Sequence, residues 1–127
     1  MMSIGEKEIS RLRRLLPPRI ASHTPRRIAV VAISEKEAAR LNARFRKISR
    51  PANVLSFRYG DEYGEILVCR AVIRRDAVLQ KHTFRFQMTW MVLHGILHLA
   101  GMHHEKSLQW ERRVETIEKE VLSCLFP

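Results

Sequence analysis

The stretch TFRFQMTWMVLHGILHLAGMHH, residues 83–104, carries the clearest structural pattern in this chain of 127 residues. Its apolar side chains recur at spacings of four, three and four, which predicts a helix that begins after Thr83 and runs to about Ala100. Gly101 is a plausible end for that helix, because glycine readily adopts the left-handed conformation that closes many helices. The apolar stripe consists of Phe86, Trp90, Leu93 and Leu97.

Four of the six histidines of the chain lie in the last part of this stretch. His94 and His98 are four positions apart and therefore project from the same face of the helix. His104 can return from beyond the turn at Gly101 as a third ligand. Three neutral imidazoles leave the fourth tetrahedral position open, as in catalytic zinc sites. We therefore expect one zinc ion per chain, although nickel and copper also suit such ligands.

The spacing of these histidines is that of the extended zincins, in which a glutamate follows the first histidine. That glutamate serves as the general base of peptide hydrolysis. The corresponding residue here is Gly95, so the sequence disfavours a zinc metallopeptidase. Peptide hydrolysis remains an alternative activity. An acidic residue near the ion would favour it, because such a residue could act as the general base.

The charge of the chain points to a polyanionic partner. The formal net charge is +10 and the isoelectric point is about 10.6, which is typical of nucleic-acid-binding proteins. Two cysteines are too few for a disulfide scaffold. The first ten residues contain no apolar segment of signal-peptide length, and the longest clean apolar run, residues 28–33, is far too short to span a membrane. We expect a cytoplasmic protein of one domain, residues 1–127, with no membrane partner.

The rest of the chain predicts an α+β fold, in which a small mixed sheet packs with helices around a zincin-like metal helix. Ser34 and Glu37 form a predicted capping box before a helix that carries Ala38, Leu41 and Phe45 on one face. The last predicted helix buries Trp110, Val114, Ile117 and Val121. The other predicted elements are helices over 6–16 and 71–81, a strand over 27–33, a hairpin of strands over 54–59 and 65–69, and the last helix over about 107–124.

The histidine segment HGILHLAGMHH, residues 94–104, resembles the HGxLHLxGxDH signature of the YbeY family of bacterial endoribonucleases. Three shorter segments support the resemblance, which covers about residues 28–124. They are LNARFR at 41–46, similar to the family's LNxxYR, VLSF at 54–57, and GEI at 64–66, where the family usually has Gly-Asp-Ile.

The resemblance implies a compact α+β fold with one zinc ion held by three histidines, which fall on His94, His98 and His104. It also implies cleavage of single-stranded RNA, maturation of the 3′ end of small-subunit rRNA and ribosome quality control. The implied partners are rRNA, the small ribosomal subunit and its assembly factors. The functional arginine of the family falls on Arg46, which with His94 is the predicted catalytic pair. Weaker RNA contacts are predicted for Arg44, Lys47, Arg50 and Ser56.

The chain departs from the family signature at two places. His103 stands where the family has aspartate, so His103 is an alternative to His104 as the third ligand. Ala52-Asn53 replaces the usual Thr-Asp before VLSF, which removes a polar or charged group near the expected site. A non-catalytic RNA- or ribosome-binding protein, stabilised by zinc, is therefore the second function that the sequence leaves open.

Overall fold

A computed structural model describes residues 4–102 and 108–127 of the chain. These residues form six helices and three strands, and the α+β class is confirmed. The order is the predicted one except for α2, a four-residue helix that the sequence did not predict. The elements are α1 Glu6–Leu15, α2 Pro18–Ala21, β1 Arg27–Ala32, α3 Glu35–Arg46, β2 Val54–Arg58, β3 Tyr63–Val68, α4 Arg70–Gln80, α5 Phe84–Leu99 and α6 Leu108–Leu125.

The three strands form a mixed sheet in the order β1-β3-β2. The predicted hairpin is present, with β2 antiparallel to β3 and Ser56 opposite Ile66. β1 pairs in parallel with the other edge of β3, with Val30 opposite Ile66. A parallel pair requires a long crossover connection, and here α3 and β2 lie in the chain between the two paired strands.

α5 is the central helix of the fold. It begins at the predicted N-cap, where the hydroxyl of Thr83 accepts a hydrogen bond from the backbone N–H of Phe86. It contacts α4, α6, β2 and β3, and a helix surrounded in this way needs apolar residues on nearly all its faces. Its buried apolar residues accordingly include Met88, Val92, Leu93, Ile96 and Leu97. None of the described helices is long and apolar enough to cross a membrane.

The ends of α3 determine where its last residues lie. Ser34 caps the start by accepting a hydrogen bond from the backbone N–H of Glu37. Lys47 ends the helix in the left-handed conformation, with φ of 61°, so Arg46 is its last helical residue. The predicted apolar face is only partly correct, because Ala38 is buried whereas Phe45 is 55% exposed.

α6 packs on α5 with a stripe that includes Val114, Ile117 and Val121, as predicted. The prediction that Trp110 belongs to this buried stripe is wrong, because Trp110 is 38% exposed. The stripe instead includes a residue that apolar periodicity passes over, the buried acid Glu118.

Candidate functional site

A cleft lies between α5, α6, the end of α3 and the start of β2. Its volume is about 700 Å³, which is within the range of small-ligand sites. It brings together residues that are far apart in sequence. The lining residues are Phe45, Arg46, Ile48, Asn53, Val54, Trp90, Met91, His94, His98, Glu111, Val114, Glu115 and Glu118.

His94 and His98 lie side by side on the cleft face of α5, as their spacing predicts. Their ring centroids are 4.4 Å apart and the ring planes are inclined by 47°. Both residues are half-buried. Two imidazole rings on one helical turn are placed where nitrogen atoms of both can reach a single metal ion.

Glu118 supports His94 from the opposite helix. One carboxylate oxygen, Oε2, lies 2.7 Å from Nδ1 of His94, and the other, Oε1, accepts a hydrogen bond of 3.0 Å from Nε1 of Trp90. The Glu118 side chain is only 8% exposed. A carboxylate buried to this degree needs such partners to offset its desolvation. The sequence did carry a signal, since Glu118 lies on the same face of α6 as Val114 and Val121, but the sequence analysis missed it.

Gly95 points away from the cleft and toward the sheet. A Cβ atom at this position would lie 2.8 Å from Cγ2 of Ile66 and 3.0 Å from Oγ of Ser56. The hydroxyl of Ser56 donates a hydrogen bond of 3.3 Å to the carbonyl of Gly95. The absence of a glutamate here is therefore a packing requirement, because α5 and the sheet approach too closely for any side chain.

Arg46 lines the same cleft as the two histidines. It is exposed and is the last residue of α3. The neighbouring cations Arg44, Lys47 and Arg50 are also exposed, but they are not among the described residues that line the cleft. Arg44 instead lies over the ring of Phe45, with 5.2 Å from its guanidinium carbon to the ring centroid.

Ser56 lies on the other side of α5, in a second cleft of about 590 Å³. His98 lines this cleft as well as the first. Ser56 is thus close to one of the predicted ligands but does not share the first cleft with Arg46. The Ser56 hydroxyl donates its hydrogen bond to the backbone carbonyl of Gly95 in α5.

Asn53 stands at the edge of the first cleft, where the family resemblance leads us to expect aspartate. Its side-chain oxygen accepts a hydrogen bond of 2.8 Å from the backbone N–H of Val54. Its side-chain nitrogen lies 3.4 Å from a carboxylate oxygen of Asp76. An amide can donate to Asp76 whereas a carboxylate would repel it, so the substitution keeps this edge of the cleft hydrogen-bonded.

Carboxylates form the α6 side of the cleft. Glu111 and Glu115 line it and are exposed, in contrast to the buried Glu118. The lining of the cleft therefore combines the guanidinium of Arg46 with the carboxylates of α6. The acidic groups that the peptidase alternative requires are present near the histidines, although Gly95 cannot supply one.

Two of the three predicted zinc ligands can be compared with the structure. The third, His104, and its alternative His103 lie outside the described residues, which contain no group of three potential ligands close enough to hold a metal ion. The donor set that is described fits zinc, because imidazole nitrogen suits zinc and a histidine ligand commonly has its other ring nitrogen hydrogen-bonded to a carboxylate. His94 and Glu118 have that arrangement.

Known proteins similar to this chain fall in one family. The family model described as Endoribonuclease YbeY matches residues 6–125. An Endoribonuclease YbeY of Thermotoga maritima is 42% identical over 80 residues, which cover 61% of this chain and 53% of that protein. One of Aquifex aeolicus is 31% identical over 104 residues, covering 77% of this chain and 69% of the relative. A solution structure of a Thermotoga maritima protein has 30% identity and a TM-score of 0.59, and covers 96% of this chain and 86% of that one.

The family model covers both sides of the cleft and the whole sheet. The chain belongs to the YbeY family. The aligned part spans about half the length of the Thermotoga maritima relative, 53%.

Proposed function

We propose that this chain is a metal-dependent endoribonuclease that cleaves single-stranded RNA in the cleft between α5, α6 and the end of α3. The observation that carries the proposal is that Arg46 lines the same cleft as His94 and His98. A fixed cation beside a pair of metal-type ligands suits a phosphodiester, whose transition state gathers negative charge on its oxygens. The names of the relatives, Endoribonuclease YbeY, support the same activity.

In this proposal His94, His98 and His104 hold one zinc ion, with His103 as the alternative to His104. A bound zinc ion supplies Lewis-acid chemistry that permits hydrolysis near neutral pH. Arg46 binds a phosphate oxygen of the substrate, because its planar guanidinium presents paired N–H donors. Weaker contacts to the RNA strand come from exposed cations outside the cleft, which are Arg44, Lys47 and Arg50. Ser56 is the fourth weak contact in the proposal, and it lies in the second cleft.

The wider role that we propose is processing of rRNA. It includes maturation of the 3′ end of small-subunit rRNA and ribosome quality control, with the small ribosomal subunit and its assembly factors as partners and the cytoplasm as the compartment. The net charge of +10 supports a polyanionic partner of this kind. We also propose that residues 1–127 act as one domain, since the matched region runs almost throughout the chain.

Purified chain incubated with single-stranded RNA and zinc tests the activity directly. We expect cleavage that is abolished in His94→Ala and reduced at least about a hundredfold in Arg46→Ala, a loss typical of removing a group that stabilises developing charge. Arg14→Ala is the matched control, because Arg14 is an exposed arginine of α1 outside the cleft. Equal activity of the Arg46 and Arg14 variants would contradict the proposed role of Arg46.

The same assay separates two other functions. Tight RNA binding without cleavage at any zinc loading would indicate a non-catalytic RNA- or ribosome-binding protein. The carboxylates Glu111 and Glu115 in the cleft are the observation that favours a zinc metallopeptidase. Hydrolysis of unstructured peptides, lost in Glu111→Gln or Glu115→Gln, would support that activity in place of the ribonuclease.

A further inference from the structure

The carboxylate of Glu118 has an unusual position for an acid on α6. The other acidic residues of this helix, Glu111, Glu115 and Glu120, are exposed, whereas Glu118 is 6% exposed. Burial of a carboxylate is costly, and an apolar residue here would extend the stripe of Val114, Ile117 and Val121 at no such cost. A requirement other than packing therefore accounts for the acid.

Both oxygens of this carboxylate have a defined partner. Oε1 accepts the indole N–H of Trp90 at 3.0 Å, which fixes the rotation of the carboxylate plane. Oε2 lies 2.7 Å from Nδ1 of His94. An ionised carboxylate only accepts hydrogen bonds, so a neutral imidazole beside it carries its proton on Nδ1. The lone pair of the ring then resides on Nε2.

We propose that Glu118 is the positioning residue of the metal site, holding His94 in the Nδ1–H tautomer so that Nε2 serves as the ligand atom. The proposal rests on the proposed metal site. Trp90 completes the arrangement by orienting the carboxylate from within α5, one turn before His94. Carboxylates in this relation to a ligating histidine raise its basicity and fix its ring, and their loss costs about 10- to 100-fold in metal affinity.

The isosteric variant Glu118→Gln tests the proposal sharply. Its side-chain oxygen can still accept from Trp90, but its NH₂ group then faces Nδ1 of His94 and favours the opposite, Nε2–H tautomer. We expect zinc affinity, measured with zinc alone by competition with a chromophoric chelator, to fall about 10- to 100-fold. Glu120→Gln, an exposed acid on the same helix, is the matched control and should bind zinc as the unchanged chain does.

A second measurement reports the tautomer without metal. Long-range ¹⁵N–¹H correlations of metal-free protein at about pH 8.5, roughly two units above the ordinary histidine pKa, should show Nδ1–H for His94. The signal should shift toward Nε2–H in Glu118→Gln, and Trp90→Phe should retain Nδ1–H because it keeps the carboxylate. The same spectra show whether each variant is folded.

Two results would overturn the proposal. One is a folded Glu118→Gln chain that binds zinc as tightly as the unchanged chain, and the other is an Nε2–H tautomer for His94 in the unchanged chain. A chain that binds no zinc at all would overturn both this proposal and the proposed metal site. Neither measurement contains RNA, so an absence of RNA cleavage would count against the proposed activity and leave the role of Glu118 standing.

Discussion

Gly95 shows how a single position couples packing to chemistry. The residue lies between two histidines in sequence but faces Ile66 and Ser56, where a Cβ atom would be within 2.8 Å and 3.0 Å of its neighbours. The sequence analysis used Gly95 only to argue against a peptidase. The structure adds the physical reason, because the face of α5 that carries Gly95 is the face that touches the sheet.

We expect Gly95→Ala to lower the free energy of unfolding by about 1 to 3 kcal/mol, because the added methyl group overpacks the contact with Ile66. Urea denaturation measures this change. The sign of the change in unfolding free energy is informative, because replacing glycine by alanine in an ordinary helix interior raises that free energy by about 1 kcal/mol. Ala43→Gly, at an exposed position of α3, gives the ordinary propensity effect in the same protein. A stabilised Gly95→Ala chain would show that the contact relaxes.

Apolar periodicity predicted the buried faces of most helices but failed at individual residues. Phe45 and Trp110 continue their apolar stripes in sequence, yet they are 55% and 38% exposed, and Phe45 keeps only an edge of contact with the ring of Phe57 in β2 among the described aromatic pairs. His82 shows the converse, because nothing in the sequence marks it for contact, yet its Nδ1 lies 2.7 Å from Oε1 of Gln87 and its ring packs against Phe86. Coverage by a distant element is a tertiary property that spacing along one helix does not contain.

Capping residues are the element-scale feature that the sequence predicted best. Ser34 and Thr83 were expected to begin helices, and both accept a hydrogen bond from the backbone three residues later. The strong preference of hydroxyl side chains for this position explains the success. The pairing of β1 with β3 depends instead on contacts between distant segments, and the sequence predicted a mixed sheet without predicting which strands pair in parallel.

Removal of the cap of α3 should weaken the element that presents Arg46. We expect Ser34→Ala to lower the free energy of unfolding by about 1 kcal/mol, because the N–H of Glu37 loses its acceptor. Thermal denaturation measures the effect. Ser123→Ala, at an exposed position within α6, removes a hydroxyl without removing a cap and should change little. Equal effects of the two substitutions would show that the cap contributes nothing.

An ion pair joins α3 to α4 across the surface. Both guanidinium NH₂ groups of Arg75 donate to the carboxylate of Glu35, at 3.1 Å and 3.0 Å. This hydrogen bonding lowers the pKa of Glu35 below its ordinary value of 4.5. A lowered pKa in the folded state means that the contribution to stability is complete above pH 4.5 and is lost as the pH falls through the lowered pKa.

We therefore expect Glu35→Gln to be less stable than the unchanged chain at neutral pH, with the difference closing as the pH falls below 4.5. The difference should be small, since both side chains are exposed to solvent. Urea denaturation across this pH range measures the difference in the free energy of unfolding. Arg75→Gln should remove the same pH-dependent contribution to stability, because it removes the partner of Glu35. A difference that stays constant with pH would exclude this carboxylate as its source.

At the scale of the whole molecule, the net charge of +10 would favour encounter with RNA, the substrate in the proposed function. We expect binding of single-stranded RNA, measured by fluorescence anisotropy, to weaken roughly tenfold or more between about 50 mM and 200 mM salt, as counterions released from about three phosphates require. The slope of the logarithm of RNA affinity against the logarithm of salt concentration should become shallower by about 0.7 in Arg46→Ala. It should stay unchanged in Arg14→Ala. A flat salt dependence would contradict binding through the phosphate backbone.

The candidate site was predictable where it lies within one helix and not where it joins several. The fixed geometry of four residues on a helix was enough to pair His94 with His98. Placing Arg46 beside them needed the family resemblance, since nothing local distinguishes it among the 23 lysines and arginines. The sequence places Glu118 on the apolar face of α6, but its partner His94 could be identified only once α6 was seen packed on α5.

The contact between Glu118 and His94 also has a consequence during synthesis of the protein. The ribosome releases a chain from its N-terminal side, and α6 follows α5 in the sequence. Both histidines are therefore synthesised before the carboxylate that orients one of them. The contact between Glu118 and His94 forms only after α6 has been synthesised and has docked on α5, so under the proposed function translation of this helix sets the earliest moment at which a new molecule has its complete site.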